Sequence, residues 1–248
     1  MPANTKVSHA WPAPTAGNLL VSNAPGQEPF MSLKHIQNRL QEIYELDIDH
    51  DVNDYVVTCR HAARHCGAPL HSRDIREQLL VCEQDDDLLL SLYLHDGIIR
   101  NLETDEERLH LHAGNLEDFC LALEGISHFL YLIWNARYRR SVTMLEMELQ
   151  AEIDKFIMLG TLLCQQRRTP APGQIRKLLF ASARYHEHLC GEELQRYRDA
   201  SNFAEKYCWY LESNFTRSTG MEPRLYRELR KFYRLGLTDK LRRINYLH

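Results

Sequence analysis

Glu124 and His128 stand four residues apart in E124-G-I-S-H128, and Glu148, Glu152 and Lys155 recur downstream at helical spacing. Carboxylates and an imidazole that converge between two helices can hold a metal ion or move a proton. At about 100° per residue, Glu117, Glu124, His128, Tyr131 and Asn135 share one polar stripe, with Leu116, Phe119, Leu123, Ile126, Leu130 and Ile133 on the apolar remainder. A hairpin turning near Arg140 puts His128 and Glu152 at one level. Glu124, His128, Glu148 and Glu152 are therefore the candidate acid/base residues, and His128 and Glu152 the candidate metal ligands. The alternative is a solvated stripe on which Glu148, Glu152 and Lys155 form surface ion pairs. The Glu-x-x-His of carboxylate-bridged di-iron bundles is absent, since the spacing here is one residue longer.

Other constellations are weaker. Asp47, Asp49 and Asp51 occupy the first, third and fifth positions of a would-be calcium loop. Val52 stands where the turn needs Gly, and Thr58 where a bidentate Glu is needed, so a solvated acidic turn is expected. His61 and His65 are spaced to chelate a metal from one helical face, but Ala62 replaces the Glu of H-E-x-x-H and Arg60 and Arg64 flank the pair. His186 and His188 point to opposite sides of a helix. Neither a phosphate-cradling glycine loop nor a nucleophile elbow occurs. Arg224, Arg227, Arg230, Lys231 and Arg234, interleaved with Tyr226, Phe232 and Tyr233, form a basic face of the kind that engages single-stranded nucleic acid or an acidic partner.

Most of the chain around these residues has helical periodicity. Leu33, Ile36, Leu40, Ile43 and Tyr44 mark a first helix that Ser32 can cap. Val56 and Val57 fit either a strand or a helix start. The apolar runs on either side of Glu83 to Asp87, between Glu77 and Leu94, predict a β-hairpin whose two apolar faces both need cover. Asn115 and Thr143 are placed to cap two long helices joined by a tight loop at Arg139 to Ser141. Helices are also expected from Gln174 to Cys190, from Glu192 to Asn214, from Pro223 to Leu235, and from Thr238 onward. The fold class is thus mainly α: an α+β N-terminal part with one small antiparallel β-hairpin, a long αα-hairpin and a C-terminal helical bundle. Residues 1–30 read as a disordered leader, 31–166 as the α+β and hairpin region, 167–173 as a linker, and 174–248 as the C-terminal region.

Composition excludes further classes. The seven scattered cysteines contain no C-x-x-C pair, against both a disulfide framework and a zinc ribbon, and a cytoplasmic location is expected. No membrane span or cofactor motif is recognised. Residues 31–160 carry 12 Lys/Arg against 24 Asp/Glu, whereas residues 176–248 carry 15 against 9, so the two parts are charged oppositely. Large polarised helical surfaces without a catalytic signature lead to an expected regulatory or assembly protein, not an enzyme, acting through another protein or self-association. A metal-dependent or acid/base helical enzyme and a nucleic-acid-binding module are the alternatives.

Overall fold

The computed structural model describes residues 33–65, 75–84, 87–103, 111–166, 170–181, 191–217, 220–221 and 223–247. The leader 1–30, Ser32, Cys66, the linker residues 167–169, and His186 and His188 lie outside the described residues.

The architecture is mainly helical with a small sheet. Helix α1 (Leu33–Tyr44) buries the five apolar residues that its periodicity predicts. It is followed by a short strand β1 (Val56–Val57) and a helix α2 (Arg60–His65). Strands β2 (Glu77–Gln84) and β3 (Asp87–Leu94) pair antiparallel with Glu77 opposite Leu94, so the predicted hairpin forms. Strand β1 adds to β3 in parallel, Val56 opposite Leu92, which settles that ambiguous apolar run as an edge strand. Cover for the two faces comes from different places. Leu90, Leu92 and Leu94 enter the main core with α4, whereas Leu80 and Tyr93 form a small second cluster with Ala63 of α2.

After α3 (Asp96–Glu103), helices α4 (Leu116–Arg137) and α5 (Met144–Gln165) form the expected antiparallel hairpin. Thr143 caps α5 as predicted, its Oγ1 accepting from the Glu146 N–H at 3.2 Å. Asn115 does not cap α4 through its side chain. Its Oδ1 accepts from the His112 N–H instead, because the backbone before the helix folds back as a turn. Contrary to the expectation that no stretch is long and apolar enough, α4 is so by length and composition. In the fold 83% of its most apolar window is buried inside the protein, as in a core helix.

Beyond Gly173, which takes a positive φ of 76°, a single turn α6 (Gln174–Arg176) passes into a π-helical turn over Lys177–Ala181. The long regular helix expected from Gln174 is therefore not continuous across the described residues. Helix α7 (Gly191–Phe215) packs along α5, a two-residue ribbon pairs β4 (Thr216–Arg217) with β5 (Gly220–Met221), and α8 (Pro223–Tyr233) and α9 (Leu237–Asn245) close the bundle. One hydrophobic core runs through α1, α4, α5, α7, α8 and α9, so the residues on either side of 167–173 share it.

Candidate functional site

The α4/α5 stripe is not a solvated surface. His128, Tyr131, Asn135, Glu148 and Lys155 are all buried, Glu124 and Glu152 are partly buried, and Glu117 at the start of α4 points to solvent. Two elements close over the stripe. Helix α7 brings Tyr197, whose hydroxyl hydrogen-bonds Glu148, and β2 brings Glu77. A ligand atom from each of Glu77, Glu124 and His128 falls within 4.8 Å of the others. His128 Nε2 lies 3.6 Å from Glu148 Oε2, which adds a third carboxylate.

Glu77 reaches this position because α4 has Gly125 facing the sheet. A Cβ at that residue would stand 2.6 Å from Leu92 Cδ1 and 2.9 Å from Glu77 Oε1, so the bare backbone makes room for both. Two atoms of the cluster, Glu77 Oε1 and His128 Nε2, are buried and have no hydrogen-bond partner among the described residues. Orphaned buried polar atoms are costly and uncommon in native structures.

The hairpin register differs by one turn from the sequence expectation. His128 stands beside Glu148, not Glu152, while Glu124 is bridged to Glu152 through Lys155: the ammonium lies 2.6 Å from Glu124 Oε2 and 2.8 Å from Glu152 Oε1. Counting residues from the loop places side chains only to within a turn, because the loop itself consumes a variable number of them.

Charge in this confined space is strongly perturbed. Burial, reinforced by Glu124, pushes the Glu148 carboxyl up to about 8, so it holds its proton at neutral pH. Burial, together with Glu124 and Glu148, likewise raises Glu77 well above the ordinary carboxylate range. His128 is driven down to about 4 by burial, against the pull of Glu124, and is a neutral imidazole. Burial disfavours the Lys155 ammonium, but Glu124 and Glu152 outweigh it and hold the proton firmly. Cys120, one turn before Glu124, is pushed up to about 11 by burial and stays a thiol. The cluster is closed at His128 and Glu148, whose side chains are 7% and 4% exposed, and opens at Glu124 and Glu152, at 15% and 23%.

A second polar group occupies the other side of α5. Asp154 accepts from Tyr44, from Ser127 Oγ at 2.6 Å and from Gln150 Nε2 at 2.9 Å. Gln150 Oε1 in turn accepts from Lys240 Nζ at 2.9 Å, and the ammonium sits over the rings of Tyr131, Phe232 and Tyr233 at 4.4, 5.1 and 5.9 Å.

The C-terminal basic residues are put to different uses. Arg230 Nε donates to the Ile43 carbonyl at 2.9 Å and Arg234 Nη2 to the Tyr44 carbonyl at 3.1 Å, satisfying the end of α1. Arg230 also pairs with Glu45 of the acidic part at 2.6 Å. Arg224, Arg227 and Lys231 remain exposed, but Phe232 and Tyr233 are in the core and unavailable to stack on bases. The acidic turn is consumed locally. Asp51 accepts from the Asn53 N–H and pairs with Lys34 at 3.1 Å, and Asp47 pairs with Arg137 at 3.7 Å. His61 is exposed on α2, and the side chain of His65 lies outside the described residues.

Glu77, Cys120 and Tyr197 were not singled out by sequence reasoning. The one usable signal for Glu77 is Gly125, a residue that weakens a helix interior and stands beside Glu124, where it marks close approach by another element. No protein family, curated protein or solved structure matches this chain.

Proposed function

We propose that this protein binds a divalent metal ion through Glu77, Glu124, His128 and Glu148. One observation carries the proposal: the buried His128 Nε2 has no hydrogen-bond partner among the described residues and faces Glu77 and Glu148, whose carboxyls burial and the neighbouring Glu124 push up. A cation relieves both costs at once, since it takes the imidazole lone pair and permits Glu77 and Glu148 to lose their protons. One nitrogen and three carboxylate donors suit a first-row metal such as Zn2+ or Mn2+ better than Ca2+, which takes oxygen ligands. Glu124 and Glu152, with side chains 15% and 23% exposed, are the more open edge of the cluster, which favours the metal-dependent enzyme over the purely structural alternative.

Chelator-treated protein titrated calorimetrically with Zn2+ or Mn2+ tests this. Saturable binding of one equivalent with a raised melting temperature is expected, together with its loss in both His128→Ala and Glu148→Gln. Binding that survives both substitutions would place the metal elsewhere, and no binding would remove the proposal.

Contact with another protein, or between copies, remains a second reading favoured by a separate feature. Trp209 is 50% exposed at a groove of about 210 Å³ lined also by Arg176, Glu205, Lys206, Ile244 and Leu247, and the neighbouring Tyr246 is 81% exposed. Sedimentation of the wild type and Trp209→Ser across a concentration series checks self-association at that groove. A concentration dependence present only in the wild type supports it.

A further inference from the structure

Resting on the metal centre proposed above, we infer that Lys155 makes that centre mononuclear by filling with its ammonium the place of a second cation. Lys155 reaches across from α5 to bridge Glu124 Oε2 and Glu152 Oε1 at 2.6 and 2.8 Å, with its side chain 11% exposed. Glu124 thereby stands between two cation positions. One is the pocket of Glu77, His128 and Glu148, which has the orphaned imidazole nitrogen. The other is the gap between Glu124 and Glu152, where the ammonium already sits.

A carboxylate shared between two metals, with a further carboxylate on the outer ion, is the arrangement by which helical bundles hold dinuclear centres. Glu124 has the place of the shared ligand and Glu152 that of the outer one. Lys155 satisfies both with a single tethered charge that cannot dissociate. The second ion is excluded by occupancy and by repulsion from the ammonium, whereas the first keeps its donors. Two-metal chemistry, which clamps an attacking and a leaving oxygen between paired ions, is thereby denied to this site, and one-metal Lewis-acid or water-activating chemistry is left.

The test is metal stoichiometry in the full chain with Mn2+ as probe, read by elemental analysis and by electron paramagnetic resonance. The wild type is expected to bind one Mn2+ with an isolated six-line signal, and Lys155→Arg, which keeps the charge, to do the same. Lys155→Met is expected to bind two, with the broadened signal of interacting ions. Should Lys155→Met fail to fold by circular dichroism, Lys155→Gln carries the same expectation. One Mn2+ in the folded neutral variant, or two in the wild type, overturns the role of Lys155 while leaving the metal centre intact. No Mn2+ in the wild type, with Zn2+ binding also absent, overturns both.

Discussion

Helix α5 has a polar cluster on each side, and the two differ in whether their hydrogen bonds close. On one side Asp154, Ser127, Tyr44, Gln150 and Lys240 form a chain in which each buried side-chain oxygen and nitrogen has a partner. On the other, Glu77 Oε1 and His128 Nε2 are buried without one among the described residues, and Glu124 and Glu152 form the more exposed edge. A complete network specifies a unique packing and needs nothing further. An incomplete one, built from metal-ligating residue types, is a place where a ligand would finish the bonding. Burial alone does not distinguish the two, since both are packed against the same hairpin.

The largest loss is expected at Asp154. Asp154→Ala strips three buried hydrogen-bond donors of their acceptor, and a loss of about 3–5 kcal/mol in denaturant-induced unfolding is expected. A loss under about 1 kcal/mol would show that the closed network is not what holds α1 and α9 to the hairpin.

Gly125→Ala probes the wall of the open cluster. The added methyl forces Leu92 and the Glu77 carboxylate to shift, with an overpacking cost of about 2 kcal/mol. Metal affinity should fall with it, because Glu77 is displaced from the other donors. Unchanged stability and unchanged Zn2+ affinity would mean that β2 yields freely and that Glu77 is not held at the site.

Lys240 makes the closed cluster sensitive to pH. Burial lowers its ammonium to about 7 despite the nearby Glu146 and Asp154, and Arg140 adds to the lowering. Unfolded lysine keeps its proton to about 10.4. Between these values the unfolded chain binds more protons, so this group makes stability rise with pH by about 1.4 kcal/mol per unit. Below about pH 7 both states are protonated, the slope vanishes and the burial cost is fully present. Unfolding free energies of wild type and Lys240→Met at pH 8 and 9 should therefore diverge in slope by about that amount. Parallel profiles would show that Lys240 stays charged within its ring of Tyr131, Phe232 and Tyr233.

The smallest effect is expected at Glu148. Glu148→Gln keeps the shape, can still accept from Tyr197 and can offer an N–H toward His128, so metal-free stability should change by less than about 1 kcal/mol. A residue that matters for ligand binding and hardly for folding is the reverse of Asp154. A large loss of metal-free stability would instead assign both clusters to structure.

Much of the scaffold was legible beforehand. The spacing of Leu33, Ile36, Leu40, Ile43 and Tyr44 marked a buried helical face, the runs around Glu83 to Asp87 marked the hairpin, and Thr143 marked the start of α5. Each is a local pattern, because helix and strand periods are written by neighbours in the chain. Glu124, His128, Glu148 and Glu152 could be picked out for the same reason.

Local pattern is therefore enough for a long αα-hairpin with a stripe of carboxylates, an imidazole and a lysine. Long-range packing supplies everything that turns the stripe into a site. Core packing of α4 on α5 set the one-turn offset that pairs His128 with Glu148 and leaves Lys155 between Glu124 and Glu152. The approach of β2 over Gly125 supplied Glu77, and α7 supplied Tyr197. It also drew Arg230 and Arg234 to the end of α1, where the unpaired carbonyls of a helix terminus attract cations. Periodicity states which residues share a face, but a face exposed to water and one covered by a strand and a helix have the same period. Only the long-range contacts that bury Glu148 and His128 distinguish them.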